Sequence, residues 1–390
     1  MRRLLVANRG EIAVRIIRAA RDLGIDTVAV HSTADREALH TRLADTALEI
    51  GPSPASKSYL VAEAILEAAR ESGADAVHPG YGFLSERASF AAAVTGAGLT
   101  FVGPSASTIE RMGDKVAARE VAAAAGVPTV PGTPGGVAGV DAAVEAAGAI
   151  GYPVMLKAAA GGGGRGIRVV HDEDALRDVF GQATTEARNA FGDGAMYLER
   201  FVERARHVEV QVLGDGSAAV HLFERECSLQ RRRQKVVEEA VSPGITEAVR
   251  ERMTRAAVDL CREVGYASAG TVEFLVDDES QEFFFIEMNT RIQVEHPTTE
   301  LVTGIDLVAE QLRIAAGEPL RFAQEDVRRR GHAIEYRVCA EDPANDFMPQ
   351  PGSVGRITLP GGPWVRCDTW LEPDGTVPPY YDSLLAKVVV

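Results

Sequence analysis

The run Gly161-Gly162-Gly163-Gly164-Arg165-Gly166 lies between two apolar, strand-like stretches, Tyr152 to Ala160 and Ile167 to His171. A hairpin tip without side chains offers unobstructed backbone N–H groups, the chemistry of a loop that closes over phosphates. The same run also reads as a plain flexible hairpin. It is not a Walker A loop, because no Gly-Lys-Ser/Thr ends it, and not a dinucleotide fingerprint, because a strand follows it. Lys157, four residues upstream, sits in an apolar strand, where an ammonium is costly unless it meets an anion.

A second constellation follows from strand geometry. Gly270 to Val276 and Glu282 to Asn289 read as strands joined by the polar turn Asp277 to Gln281, and a hairpin centred near Ser280 sets Glu273 opposite Glu287. Opposed carboxylates repel unless a cation lies between them. Asn289 and Arg291 continue the face of Glu287, and two carboxylates with an amide oxygen form a hard donor set suited to magnesium. The alternative is a solvated sheet face. If the strand continues, Arg291, Gln293 and Glu295 share one side, which suits an oxyanion clamp with a base beside it, or a simple ion pair. Alternation also places Arg231, Arg233 and Lys235 on one side of a basic run. Without interleaved aromatics this run favours an anion or solvent over nucleic acid. Lys115 opens a helix after Met112-Gly113-Asp114, and a glycine-rich turn spans His78 to Phe83; either could be purely structural, and on spacing alone His207 and Arg337 read as structural before functional.

The elements that must position these residues fall into three blocks. Arg3 to Ala7 reads as a buried strand, followed by a tight turn and a helix with Ile12, Ile16, Ile17, Ala20 and Leu23 on one face. Strand and helix then alternate through Thr27 to His31, a helix from Ser58 to Ser72, Ala76 to His78 and Leu99 to Val102. Residues 1–113 are thus expected to be a doubly wound α/β domain with a parallel sheet. A helix from Lys115 to Ala125 leads into the Pro/Gly-rich stretch Val127 to Gly139, which marks a change of module. An α+β module then runs to a closing helix at Ile305 to Ala316. From His332 the chain is strand-rich and ends in the apolar run Leu384 to Val390. An edge strand left exposed there leads us to expect an incomplete C-terminal part.

The bulk numbers bound the function classes. With 390 residues, two or three domains are expected, each with its own core. A net charge of −15 disfavours nonspecific binding to nucleic acid or anionic membranes. The four cysteines lack metal or redox spacing, so a reducing cytoplasm is expected. The apolar start ends at Asn8-Arg9-Gly10-Glu11, too short for a signal segment, and no stretch reaches the length of a membrane span.

In this order, the segments resemble biotin carboxylase of the ATP-grasp superfamily. The matching pieces are Ala7 to Ala13, His78 to Glu86, Met112 to Lys115, the glycine loop, Arg206 to Glu209, Cys227 to Glu239, Glu287 to Pro297, His332 to Pro343 and Pro378 to Ser383. The resemblance implies a pre-ATP-grasp domain over 1–113, an ATP-grasp domain over 114–317 with a lid near 130–203, and a β-rich C-terminal domain over 332–390. It implies ATP-dependent carboxylation of biotin by bicarbonate through carboxyphosphate, as the first half-reaction of an acyl-CoA carboxylase. Lys115, Lys157, His207 and Gly161 to Gly164 would hold ATP phosphates, and Glu199, Arg200, Phe201, Val202, Gln230 and Leu275 the rest of the nucleotide. Arg233 stands where the family has histidine beside the nucleotide. Glu273, Glu287 and Asn289 would hold magnesium or manganese. Lys235, Arg291, Gln293 and Val294 would hold bicarbonate, Glu295 would be the base, and Arg337 would stabilise the biotin enolate. A biotin carboxyl carrier protein or domain, a carboxyltransferase subunit and a second copy in a homodimer are the implied partners. Another ATP-grasp carboxylate ligase and a catalytically silent ATP-binding scaffold remain as alternatives.

Overall fold

Short strands, buried on both faces at the centre, build the first sheet. In the computed structural model, which describes residues 1–158, 167–191 and 193–390, β1 (Arg3–Val6), β2 (Asp26–Ser32), β3 (Thr46–Gly51), β4 (Ala76–His78) and β5 (Thr100–Phe101) form a parallel sheet. Its order is β3-β2-β1-β4-β5. Parallel strands need crossovers, and the helices Gly10–Asp22, Ala62–Ser72 and Ala88–Gly96 lie between them in sequence. Gly10 has φ +67 at the tight turn out of β1, a conformation that a side chain at this position would strain. The helix expected from Ser58 starts instead at Ala62. Tyr59 turns into the core, where its hydroxyl donates to Asp35 at 2.6 Å, and this contact takes residues 58–61 out of helical geometry.

Contacts divide the described residues into two compact units. One comprises 1–127, 206–274 and 287–390, and the other 128–205 and 275–286. The second unit begins at Pro128, inside the Pro/Gly-rich stretch.

The first unit combines the parallel sheet with an eight-stranded one. The latter is built from β9 (Ala205–Asp215), β10 (Ala219–Arg231), β11 (Gln234–Ala240), β12 (Ala267–Asp277), β13 (Phe283–Asn289), β14 (Ala333–Cys339), β18 (Arg366–Thr369) and β20 (Leu384–Val389). Their order is β13-β12-β9-β10-β11-β14-β20-β18, with the tips of β12 and β13 belonging to the second unit. The two-residue pairs β15 (Glu341–Asp342) with β16 (Met348–Pro349), and β17 (Gly352–Ser353) with β19 (Thr376–Val377), decorate the C-terminal part. One core joins the two layers, with Leu4, Val6, Ile12 and Ile16 packed among Leu213, Leu222, Ala269 and Leu307. The sequence expectation of an exposed edge at Leu384 to Val390 is wrong. β20 is paired on both sides, with β14 and with β18, so its backbone is not an open edge and the edge falls on β18.

The second unit holds the antiparallel sheet β7-β6-β8, from β6 (Val154–Ala158), β7 (Ile167–Val170) and β8 (Met196–Arg200). The helices Val140–Ile150 and Glu173–Phe191 pack on it through Ala143, Ala147, Leu176 and Phe180 against Val154, Leu156 and Leu198. Gly161, Gly162, Gly163 and Gly164 lie outside the described residues. Among those described, no helix is long and apolar enough to cross a membrane.

Ile16 is fully buried between the two sheets of the first unit. Ile16→Ala should cost about 2–5 kcal/mol through lost transfer energy and a residual cavity. A chemical-denaturation midpoint indistinguishable from that of the parent chain would show that this layer contributes little to stability.

Candidate active site

The basic run between β10 and β11 does not form one continuous strand. Arg232 and Arg233 have φ +51 and +67, and Arg231 pairs with Gln234, so the run folds into a two-residue hairpin turn. The expected alternation is therefore replaced by a turn whose backbone twist suits the strands, although Arg231, Arg233 and Lys235 still line the same cavity of about 950 Å³. Arg231 pairs with Glu341.

Lys235 points from the start of β11 into a set of buried carboxylates. Its Nζ lies 2.5 Å from Glu209, 3.0 Å from Glu273 and 2.7 Å from Glu295. Burial opposes its charge, but Glu209 and Glu295 outweigh that and raise its pKa well above the usual lysine value. Glu209 is held from the other side by Arg225, fully buried, whose Nε donates to it at 2.6 Å. A metal among Glu209, Glu273 and Glu295 would have to displace this ammonium.

Glu295 is fully buried beneath the residues that line the cavity. Its other oxygen accepts from Nη2 of Arg337 at 3.0 Å. Burial alone would raise its pKa, but Lys235 and Arg337 overcome it and hold the carboxyl well below the ordinary range. The strand continuation expected through Arg291, Gln293 and Glu295 does not occur. β13 ends at Asn289, and a turn leads into the helix His296–Thr303, with Glu295 at its N-cap and Pro297 in its first turn. Proline in the first helical turn is preorganised for this exit from the strand. The turn still brings Arg291 and Gln293 to the cavity, with Glu295 buried behind Lys235 and Arg337. Arg291 donates to Gln293 at 2.8 Å, to Asn289 at 3.1 Å and to Glu86 at 2.8 Å. Lys387, fully buried on β20, donates to the Val294 carbonyl at 2.8 Å and lies 3.2 Å from Glu11.

The oxygen set converges as well. The bond from Asp277 N–H to the Glu282 carbonyl centres the β12–β13 turn between Glu279 and Ser280, half a residue ahead of the expected position. Glu273, Glu287 and Asn289 nonetheless line the same cavity. Asn289 donates to Glu273 at 2.8 Å, and His207 Nε2 lies 2.8 Å from its second oxygen. Burial and the neighbouring Glu273 raise the pKa of Glu287, with Lys115 opposing them. Two oxygen donors that repel each other in this way fit a divalent cation. Gln230 reaches His207 Nδ1 at 2.9 Å, and burial is outweighed by Glu273 in raising the His207 pKa.

Lys115 opens the helix Lys115–Ala124 of the first unit, and the other candidates lie in the second unit. Lys157 pairs with Glu199 across β6 and β8. Arg200 Nη1 is 3.1 Å from Glu282, and Val202 packs with Leu275 and Phe284. Phe201 N–H bonds the Pro153 carbonyl at 2.9 Å.

Sequence reasoning missed the partners beneath the site. Glu209 was accessible, since it lies two residues beyond His207 on the same strand face. Glu86 and Glu238 carry no local signal that would associate them with Arg291 or Arg337.

Residues 1–109 match the model described as "Biotin carboxylase, N-terminal domain", 114–323 "Carbamoyl-phosphate synthase L chain, ATP binding domain", and 335–390 "Biotin carboxylase C-terminal domain". The chain is 55% identical to the biotin carboxylase of Haemophilus influenzae, covering 100% of this chain and 87% of that protein. It is similar to the biotin carboxylase domain dimer of Hydrogenobacter thermophilus 2-oxoglutarate carboxylase, solved with MgADP, ADP and bicarbonate. That match has 50% identity and a TM-score of 0.89, over 100% of this chain and 86% of the other. The biotin carboxylase domain of a thermophilic 2-oxoglutarate carboxylase bound to bicarbonate matches over the same shares, at 48% identity and a TM-score of 0.96.

Burial would raise the Glu273 pKa, but His207 and Lys235 together hold it down to about 2, below its ordinary 4.5. A depressed folded-state pKa contributes stability above about pH 4.5 that is lost as the pH falls toward 2. Glu273→Gln should therefore flatten part of the acid-side decline in the urea midpoint between about pH 5 and 3. An equally steep decline in variant and parent would refute the assignment.

Proposed function

Because the chain belongs to the biotin carboxylase family of ATP-dependent carboxylases, we propose that its cavity carboxylates biotin with bicarbonate and ATP, and that its residues divide the work as follows. Arg291, Gln293 and the Val294 backbone hold bicarbonate, and Lys235 bonds it from the opposite side. The observation that carries this reading is Glu295, an ionised carboxylate buried between two cations that both line the cavity.

Glu295 in that state is a poor base, because Lys235 and Arg337 stabilise its charge. When the bicarbonate anion draws the Lys235 ammonium toward itself, part of that stabilisation is lost and Glu295 becomes basic enough to take the hydroxyl proton. The freed oxygen attacks the γ-phosphorus, ADP leaves, and carboxyphosphate forms. The C–O bond between the carboxyl carbon and phosphate then breaks, the released phosphate takes the N1 proton of biotin, and N1 bonds to the carboxyl carbon, while the Arg337 guanidinium stabilises the oxyanion of the biotin enolate.

Lys115, Lys157 and His207 hold the phosphates, with Gly161 to Gly164 as a lid that excludes water from carboxyphosphate. Glu199, Arg200, Phe201, Val202, Leu275, Gln230 and Arg233 hold the remainder of the nucleotide. Glu273, Glu287 and Asn289 would hold magnesium, which when bound offsets the charge of the phosphates. Biotin arrives on a carrier protein or domain, a carboxyltransferase subunit takes the carboxyl group onward, and the chain works as a homodimer in the cytoplasm. The dimeric Hydrogenobacter thermophilus domain supports the last pairing.

Glu295→Gln keeps the shape of the side chain and removes the base. Bicarbonate-dependent phosphate release from MgATP, stimulated by free biotin, should fall by about 100- to 10,000-fold. Turnover within a few-fold of the parent would exclude Glu295 as the base. An absence of bicarbonate-dependent turnover in the parent chain would remove the carboxylase reading itself.

A further inference from the structure

β11 and β14 each carry a glutamate where a sheet interior normally has an apolar side chain. Glu238 and Glu335 stand directly opposite one another in the antiparallel ladder, and both are fully buried. Directly paired residues share a face with Cβ atoms about 5 Å apart, so two carboxyl groups here are within reach of each other. Arg337, two residues along β14 on the same face, bonds Glu238 Oε1 through Nε at 2.6 Å and Glu295 through Nη2 at 3.0 Å.

The hydrogen-bond inventory of this pair is incomplete in a specific way. Among the described residues, neither oxygen of Glu335 and not Oε2 of Glu238 makes a hydrogen bond. The nearby Lys387 ammonium is directed to the Val294 carbonyl and Glu11. Two ionised carboxylates side by side in a buried sheet, with three oxygens lacking protein partners, would carry a large penalty. One proton removes most of it, because a neutral acid supplies the donor that the facing carboxylate lacks.

We propose that Glu335 is a neutral carboxylic acid donating its hydrogen bond to Oε2 of Glu238, and that the pair is a positioning device for Arg337. Glu238 then keeps its negative Oε1 toward the guanidinium, which is held where it meets Glu295. This rests on the reading of Arg337 as the group that handles biotin.

The surroundings agree with that division. Burial drives the Glu335 pKa well above the carboxylate range, with Glu238 and Glu295 adding to it and Lys387 and Arg337 opposing it. Burial also pushes Glu238 up to about 7, with Arg337 pulling it down and Glu295 adding to the rise. The charged and titratable groups facing Glu238 are Arg337 and Glu335 on β14, Glu295 at the helix N-cap, Lys235 on its own strand, Lys387 on β20 and Cys227 on β10. As the pH falls through about 7, Glu238 takes up a proton, the pair becomes neutral and Arg337 keeps Glu295 but loses its negative partner on β11.

The test measures phosphate release from MgATP and bicarbonate, with free biotin as the probe, across about pH 6 to 9 in the full chain. Glu238→Gln should lower the biotin-stimulated kcat about tenfold with little change in the KM for ATP, and should lose the acid limb of the pH profile. Glu335→Gln, whose amide can donate the same bond, should retain most of the activity, whereas Glu335→Leu should lose it as Glu238→Gln does. Glu335→Leu turning over like the parent, or an unchanged acid limb in Glu238→Gln, would overturn the proposal. Infrared spectroscopy gives a second readout should Glu335→Leu not fold. A protonated-carboxyl C=O band present in the parent and missing in Glu335→Gln is expected, and its absence from the parent at neutral pH would overturn the proposal. This band does not depend on turnover, so failure of the carboxylase reading and failure of the carboxyl pair are separately visible.

Discussion

One ammonium group, Nζ of Lys235, lies within 3.0 Å of carboxylates from β9, β12 and the N-cap of the helix His296–Thr303. Each of Glu209, Glu273 and Glu295 is nearly or fully removed from water, and three such charges without a cation between them would repel one another through a low-dielectric interior. Desolvation of these groups is itself expensive, so the cluster is weak evidence for stability. Its consequence is specificity of arrangement, because each charge is tolerated only while the others stay in place. Arg225 completes the balance from beneath by holding Glu209, Gln211, Thr271 and Thr299.

The same logic extends outward from Glu295. Arg337 bridges it to Glu238, and Lys387 fixes the neighbouring Val294 carbonyl while reaching Glu11 on the first helix. Residues near both ends of the chain thus stabilise a turn about three quarters of the way along it. Continuity of one sheet makes this possible, since β11, β14 and β20 are adjacent strands and their inward faces form a single polar floor. The cavity above that floor is lined by Arg291, Lys235 and Arg337, three cations suited to anions, and by an oxygen set suited to a divalent metal.

Much of this was legible in the residues. The Leu4 to Val6 run, the helix with Ile12, Ile16 and Ile17 on one face, and the parallel alternation that follows all appear as expected, because apolar periodicity reports directly which face is buried. Glu273, Glu287 and Asn289 were placed on one face by counting along two strands, and they do line one cavity. Counting failed where the chain stopped being a strand. Arg291 to Glu295 is a turn, and Arg232-Arg233 is a hairpin tip, because Pro297 starts a helix and because two residues with positive φ reverse the chain. Tyr59 similarly displaced a helix start through one long-range hydrogen bond to Asp35.

The sequence by itself determined the local elements, the family resemblance and the identity of the groups able to bind anions and a hard cation, because these depend on residue type and near-neighbour spacing. Only the tertiary structure decided which charges meet. That Glu86 would hold Arg291 from 205 residues away, that Glu238 and Glu335 would face each other, and that β20 would lie inside the sheet all depend on strand order. Strand order is set by the packing of whole layers, and no window of sequence contains it.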